Sequence, residues 1–574
     1  MEIDEVAKLL EEIAPTVDDW HGIGTVLRKQ ELKSPEHILW KYVFAFEYME
    51  VEESNRDYFE RYGPFAPWIE MQGGVFPPPL NTIGDEILAE WVTVLEKIQH
   101  PILCSRMADL LWERRWGTRT DLFARQAIDS YLEVAKGSWV ELYRGNCLTR
   151  ALTVCKQIGD RERKKRIIDA IIQACVHELG ADEWRPGVSL RLIEALVKLP
   201  KGEIPNEVDN LLSKALEVYR KDAWIVENVL GLMIRQAESG KQKELQLHQV
   251  QVWVEEADKS QQGLLKLHHL EHALELARNY GFQDVADEMR RRIQSVPEED
   301  LQLKTYSAQI EIPNDIVEEY LNSFVDERGL TESLARFGSN GPPSGNHKKN
   351  IEEIERHVQE FPLQFHITRA VYDENNAPIR FGRNLDENKE IALAQYETMN
   401  IMLFGKMAPN ILGRIVQKHG LPSTNKLTEF FTTPLIPKDI AANIAQAIDW
   451  YYKDEYDVAA HILVPRIEAM FRTLVRELGL PIIREPVGST PGGVVPLGSL
   501  LAMLQDKLDE SWRRYYYNLL VNPIGINLRN RICHGLITKA GKDDVALLIH
   551  VACNFRLIKV SNPDETEEKV EKDL

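Results

Sequence analysis

The chain has 574 residues, three to five times the ~100–200 of a typical domain, so several domains and an ample core are expected. Its 44% hydrophobic and 28% charged residues exclude collagen-like and wholly disordered readings. With 69 Lys and Arg against 89 Asp and Glu the formal net charge is −20. That excludes a general polyanion binder, because phosphate affinity rests on surplus Lys and Arg, and any nucleic-acid contact must be local.

The opening stretch, MEIDEVAKLLEEIAP, predicts an acidic amphipathic helix, whereas a secretory signal needs basic residues before an apolar block. No uncharged apolar run approaches the ~18 residues of a membrane span, so no membrane is expected. Helical periodicity dominates residues 1–310. Segments such as MADLLWERRWG, ARQAIDSYLEVAKG and SLRLIEALVKLP place apolar residues three and four apart and predict one buried stripe per helix. Ala151–Gly159 and Ala273–Gly281 each run through seven residues to a turn glycine and then to a charged helix, as helix-turn-helix repeats do. Ten of the twelve tryptophans precede residue 254, among them Trp40, Trp91, Trp112 and Trp116, and are read as filling helix interfaces. His268 and His272, one turn apart with His269 between, have metal-ligand spacing. No HExxH glutamate or third ligand accompanies them, so a solvated helix face is expected and no metal.

Phe337–Lys349, FGSNGPPSGNHKK, reads as an exposed linker. After it QFHITRAVYD and PIRFG flank Glu374–Ala377 and predict one small β-hairpin. Residues 311–439 are thus expected to hold linker, hairpin and connecting helices, and 440–560 a helical bundle. Tyr456–Leu478 should be a long helix with Leu463, Ile467, Met470, Phe471, Leu474 and Leu478 inward, kinked at Pro465 and capped by Gly479. Gly488–Gly493 lacks the Lys-Ser/Thr of a phosphate-binding loop and reads as a connector. Residues 561–574, with six acids and two lysines, read as a frayed tail. From Ile440 to Val560 there are 14 Lys/Arg and 12 Asp/Glu, a net of +2, which leaves −22 for the remainder. The six scattered cysteines form no Cys-x-x-Cys pair, so neither disulfides nor a cysteine zinc site is expected, and a reducing cytoplasm fits.

Within the near-neutral stretch lies Asn527-Leu-Arg-Asn-Arg-Ile-Cys-His-Gly535. Arg529, the polar Asn530 directly after it, and His534 resemble the signature of the HEPN superfamily. The fuller RNxxxHG form is similar to that of a poorly characterised family of bacterial and eukaryotic proteins within it. The resemblance covers about Ile440–Val560. It implies an all-α fold, a helical-repeat-like N-terminal region followed by a HEPN helix bundle with the one β-hairpin between, and a homodimer whose motifs face one cleft. It also implies metal-independent RNA cleavage, with no cofactor, giving a 2′,3′-cyclic phosphate and a 5′-hydroxyl. His534 would act as general base or acid, since an imidazole pKa near 6.5 suits both roles. Arg529 would stabilise charge on the phosphoryl oxygens, and Asn530 would orient His534 or the phosphate. Arg531, Arg472 and Arg513 are the expected RNA contacts. The setting it implies is stress response or anti-phage defence, with residues 1–310 restraining a toxin or binding a protein trigger.

The same residues admit a blander reading: Arg529 in an ion pair with a carboxylate, and His534 a helix-end residue before a capping Gly535. Glu468 and Arg472, four apart, could serve the cleft but favour a plain surface pair. In Trp512-Arg513-Arg514-Tyr515-Tyr516-Tyr517, basic and aromatic residues interleave as in a single-strand groove. Helical spacing instead favours Trp512, Tyr516 and Leu519 in the core and Arg513 in solvent. A rival function is a non-catalytic scaffold, or an RNA-binding sensor, that uses the bundle only to dimerise. A buried His534 would favour the scaffold.

Overall fold

The structure, a computed structural model, describes residues 2–31, 39–52, 55–71, 74–137, 141–181, 184–302, 311–373, 378–488 and 491–560. Among them are 27 α-helices and four two-stranded antiparallel sheets, so the fold is all-α. The chain divides into two compact units, 1–302 and 303–574.

In the first unit the opening helix is Ile3–Ile13, with the Glu5 carboxylate reaching back to the Glu2 amide (3.0 Å) and Val6, Ala7, Leu10 and Ile13 buried as one stripe. The pattern fails in Pro101–Glu113, where every residue from Ile102 to Trp112 is buried, Arg106 and Asp109 included. Helices Trp20–Glu31, Trp40–Phe46, Asp85–Leu95 and Thr120–Lys136 all pack on it, so it is a central helix with no solvent face. Asp109 is satisfied internally, whereas Arg106 makes a long ion pair, Nη2 to Glu50 Oε1 at 3.7 Å, and a ring contact. Asp109 accepts from Tyr131 Oη and from Arg150 Nε and Nη2, all at 2.7 Å, and Arg106 stacks 4.2 Å from the Trp20 ring.

Both expected repeat turns form. Glu141–Ile158 passes through Gly159 to Arg161–Gly180, and Gly263–Asn279 passes through Gly281 to Gln283–Gln294, each glycine at positive φ. The tryptophans divide. Trp20, Trp91, Trp112 and Trp253 are buried, whereas Trp68, Trp184 and Trp224 are exposed. The histidine trio is not wholly solvated as expected. His272 packs 4.4 Å from Trp253 and bonds Glu227 Oε2 (2.8 Å), His269 lies 5.4 Å from Trp253, and His268 is exposed. Among the described residues no three His, Cys, Asp or Glu are grouped to hold a metal ion, and no helix is long and apolar enough to cross a membrane.

Among the described residues the second unit has a main core running from Leu321 to Phe555 and a smaller cluster of Ile354, Phe365 and Leu393. The expected hairpin pairs Arg369–Tyr372 with Pro378–Gly382, while its turn, Glu374–Ala377, lies outside the described residues, as does the 561–574 tail. Three further short pairs were not expected. Two are in the first unit, and Ile483–Arg484 with Gly493–Val494 makes a hairpin of the connector. The segment 337–349 is not an exposed linker. Phe337 and Ser344 are buried, Asn554 Nδ2 donates to Gly338 O (2.7 Å), and Ser344 Oγ donates to Ser511 O (3.2 Å). Its glycines and prolines break the helical period because the chain turns there against the bundle, between helices Leu330–Ser339 and His347–Glu360. Helix Tyr456–Glu477 runs unbroken through an exposed Pro465, with Leu463, Ile467, Met470, Phe471 and Leu474 buried. Gly479 closes it at φ +70°, with Leu480 N bonded to Val475 O (3.0 Å) and Gly479 N to Arg476 O (2.9 Å).

Candidate functional site

The motif occupies the short helix Leu528–Cys533, seated on Tyr456–Glu477 and Glu510–Leu520. Its entry is built by close contact. Gly525 lies against Asn518 so tightly that a Cβ would stand 2.2 Å from Asn518 O, and that carbonyl accepts the Ile526 amide (2.9 Å). Asn518 is itself held in a buried polar network, donating to Glu397 Oε2 (2.7 Å) and accepting from Asn522 Nδ2 (2.7 Å). Arg514 closes the network through Nε to both Glu397 oxygens (2.8 and 2.7 Å). The motif helix is thereby tied through Glu510–Leu520 to the 35-residue helix Leu385–His419.

The exit has its own closure. Gly535 adopts φ +67°, the Leu536 amide donates to Arg531 O (2.8 Å), and the Gly535 amide donates to Ile532 O (3.2 Å). This pair of hydrogen bonds fixes His534 as the residue that caps the helix's C-terminus, its own amide bonded to Asn530 O (2.9 Å). The His534 side chain is exposed, and no hydrogen bond or ion pair holds its imidazole among the described residues.

Arg529 points to the neighbouring long helix. Its Nε and Nη2 reach Glu468 Oε2 at 3.0 and 2.9 Å, and Nη1 donates to Asn530 Oδ1 (2.9 Å). Asn530 is fixed in turn by donating to Asn527 Oδ1 (2.8 Å) and Val521 O (3.3 Å). The other oxygen of Glu468 accepts from Arg472 Nη2 at 2.7 Å. Glu468 is therefore more than the surface partner of Arg472. Its side chain is only 14% exposed, and it joins Arg472 to the motif arginine, leaving two guanidiniums on one carboxylate. Spacing alone could find the Glu468–Arg472 half of this triad. The Arg529 half spans 61 residues and depends on how the two helices pack.

Of the features expected on the blander reading, the Arg529 ion pair and the capping Gly535 are both present, while among the described residues none holds the imidazole. The remaining expected contacts divide. Arg472 belongs to the triad. Arg531 leaves the motif helix on another side and lines a cavity. Arg513 is neither in solvent nor joined to the motif: Glu510 holds it through two 2.6 Å bonds, which raise its pKa above the ordinary guanidinium value. Tyr516 and Leu519 are buried and Trp512 packs on the core, as helical spacing predicts.

The comparisons fall in the first unit, away from the motif. Residues 57–167, about a fifth of the chain, match a family described as a domain of unknown function (DUF7380). That stretch contains the buried Asp109–Arg150–Tyr131 centre. No curated protein matches the chain.

Proposed function

We propose that this chain is a metal-independent endoribonuclease of HEPN type, acting as a homodimer through its second unit and restrained by its acidic first unit, in cytoplasmic stress response or anti-phage defence. The observation that carries the reading is the Arg472–Glu468–Arg529 triad on a motif whose His534 side chain is exposed. One carboxylate between two guanidiniums leaves a net positive charge, which suits a phosphodiester. The carboxylate and Asn530 hold Arg529 in a fixed orientation, so little reorganisation is needed as charge builds on the phosphoryl oxygens. An exposed imidazole can take the proton from the ribose 2′-hydroxyl as that oxygen attacks phosphorus, or return one to the departing 5′-oxygen. The bond from phosphorus to the 5′-oxygen breaks, leaving a 2′,3′-cyclic phosphate and a 5′-hydroxyl. One histidine cannot fill both roles in a single step, which is the chemical reason for placing two motifs in one dimeric cleft.

The test is cleavage of total RNA in EDTA by wild type and by His534→Ala at equal dimer content, with the product ends mapped. Cleavage by wild type alone, with cyclic-phosphate ends, is the expected result. If neither protein cuts, and neither is toxic to cells under phage challenge, the nuclease reading falls and the dimerising scaffold replaces it. RNA affinity that survives His534→Ala but not Arg529→Ala, without cleavage, would mark an RNA-binding sensor.

A further inference from the structure

The motif helix has a second side that the cleavage chemistry does not use. A cavity of about 530 Å³ opens there, within the range of small-molecule sites. Asn527, just before the motif helix, and Arg531 on it, four residues apart, reach it, and Leu536 lines it two residues beyond His534. Along the chain, the cavity lining therefore comes within two residues of His534 on one side and within two of Arg529 on the other.

Its lining is specific in kind. Met402 and Leu547 join Leu536 as apolar wall, and Tyr372 offers an aromatic ring. The charged side chains are Arg531 and Lys406 against Asp373, Asp543 and Asp544, a net of −1. That balance does not suit a phosphate group. It suits a flat, uncharged heterocycle with polar edges, stacked on a guanidinium or aromatic plane and read by neighbouring donors and acceptors. Lys406 and Asp543 are paired with each other at the wall, so an ammonium donor stands beside a carboxylate acceptor. Guanine presents the complement of that order: O6 accepts, while N1–H and the 2-amino group donate together to one carboxylate.

We infer that this cavity takes an unstacked guanine base of the RNA substrate and so fixes which phosphodiester meets His534. The inference rests on the cleavage reading for its position, and the pocket chemistry stands apart from it.

The experiment uses the full-length chain. Binding of guanosine monophosphate, uridine monophosphate and a short guanosine-containing oligoribonucleotide, with a 2′-deoxy guanosine to block cleavage, is measured by calorimetry. Met402 is 56% exposed, so Met402→Trp fills the cavity without disturbing the core. Lys406→Ala removes the donor, and Met399→Trp, one turn away on the same helix and outside the lining, is the control. The guanine nucleotide should bind at least tenfold tighter than the uridine one, and the oligonucleotide tighter still. Met402→Trp and Lys406→Ala should each cost tenfold or more, and Met399→Trp nothing. No base preference, or binding indifferent to both cavity variants, overturns the inference. An oligonucleotide no tighter than the free nucleotide overturns it too, marking the ligand as a free nucleotide. If wild type cleaves RNA through His534 at the same positions as Met402→Trp, the pocket fails and the nuclease stands. Variant-sensitive guanine binding without any His534-dependent cleavage leaves the pocket standing and removes the nuclease.

Discussion

Gly535 sits at φ +67°, where a Cβ crowds the following carbonyl at a cost of roughly 1–2 kcal/mol. Nothing lies within 4 Å of a Cβ built there, so the cost of Gly535→Ala is conformational rather than steric. Because this residue closes the turn that places His534 at the helix's C-cap, the variant should lose about 1 kcal/mol of stability and more than tenfold in RNA cleavage. Gly535→Asn, which tolerates the left-handed region, should recover most of both. Thermal melts and cleavage rates on the three proteins check this; unchanged cleavage in the alanine variant would separate the glycine from the histidine's role. The need for Gly535 was legible in the motif as a cap. The exposure of the imidazole was not, since it depends on which described residues the fold brings near.

His550 makes a second residue-scale case. It is fully buried among Phe337, Phe404, Trp512 and Tyr515, and burial pushes its pKa down to about 3. In the unfolded chain the value is about 6.5, so between those limits the unfolded state binds a proton that the folded state refuses. Stability from this group is full above about pH 6.5 and declines as pH falls, by about 2–3 kcal/mol at pH 4.5. His550→Asn keeps a hydrogen-bonding partner for the Tyr515 hydroxyl (3.0 Å from Nδ1 in the native chain) and removes the titration. Urea unfolding at pH 7 and 4.5 should show that much less pH sensitivity in the variant; an equal slope in both would refute the burial argument.

At the scale of elements, the site is a junction of three helices, and its parts differ in how readable they are. Period and the closing glycine place Tyr456–Glu477 close to its observed bounds, because it has its own apolar stripe and punctuation, while helical spacing places Trp512, Tyr516 and Leu519 on one face without fixing where their helix ends. The interlocks between them are not periodic. Glu468 to Arg529, and Asn518 to both Gly525 and Glu397, join residues whose chain separation carries no local signal. Glu468→Gln tests the first. It keeps one acceptor but removes the charge that both arginines share, so thermal stability should fall by about 1.5–3 kcal/mol. The site's charge rises by one, so single-stranded RNA affinity should depend more steeply on salt, by about 0.7 in the log–log slope. Titrations from 50 to 300 mM salt measure the slope. No change would mean that the triad does not face the RNA.

At the scale of the whole molecule, charge and core disagree about where the chain divides, and the core decides. Composition points to a break at 337–349, yet Leu321, Phe324, Leu334 and Phe337 are buried in the same core as Phe471 and Phe555. A fragment 311–560 keeps that core entire, whereas 341–560 loses four of its apolar side chains, at about 2–5 kcal/mol each when comparable residues are truncated to Ala. Set against the 5–15 kcal/mol that holds a typical domain together, that loss is decisive. Fragment 311–560 should therefore be soluble and helical with a cooperative melt, and 341–560 should aggregate or melt without cooperativity, as circular dichroism on both would show. The folded fragment then isolates the electrostatic restraint, because residues 1–310 carry a net −13 of the chain's −20. If that excess disfavours RNA, the fragment should bind an oligoribonucleotide at least several-fold tighter than the full chain at 50 mM salt, and the gap should close by 300 mM as screening shortens to about 6 Å. Equal affinity at low salt would refute restraint by charge and leave any control by the first unit to a specific contact.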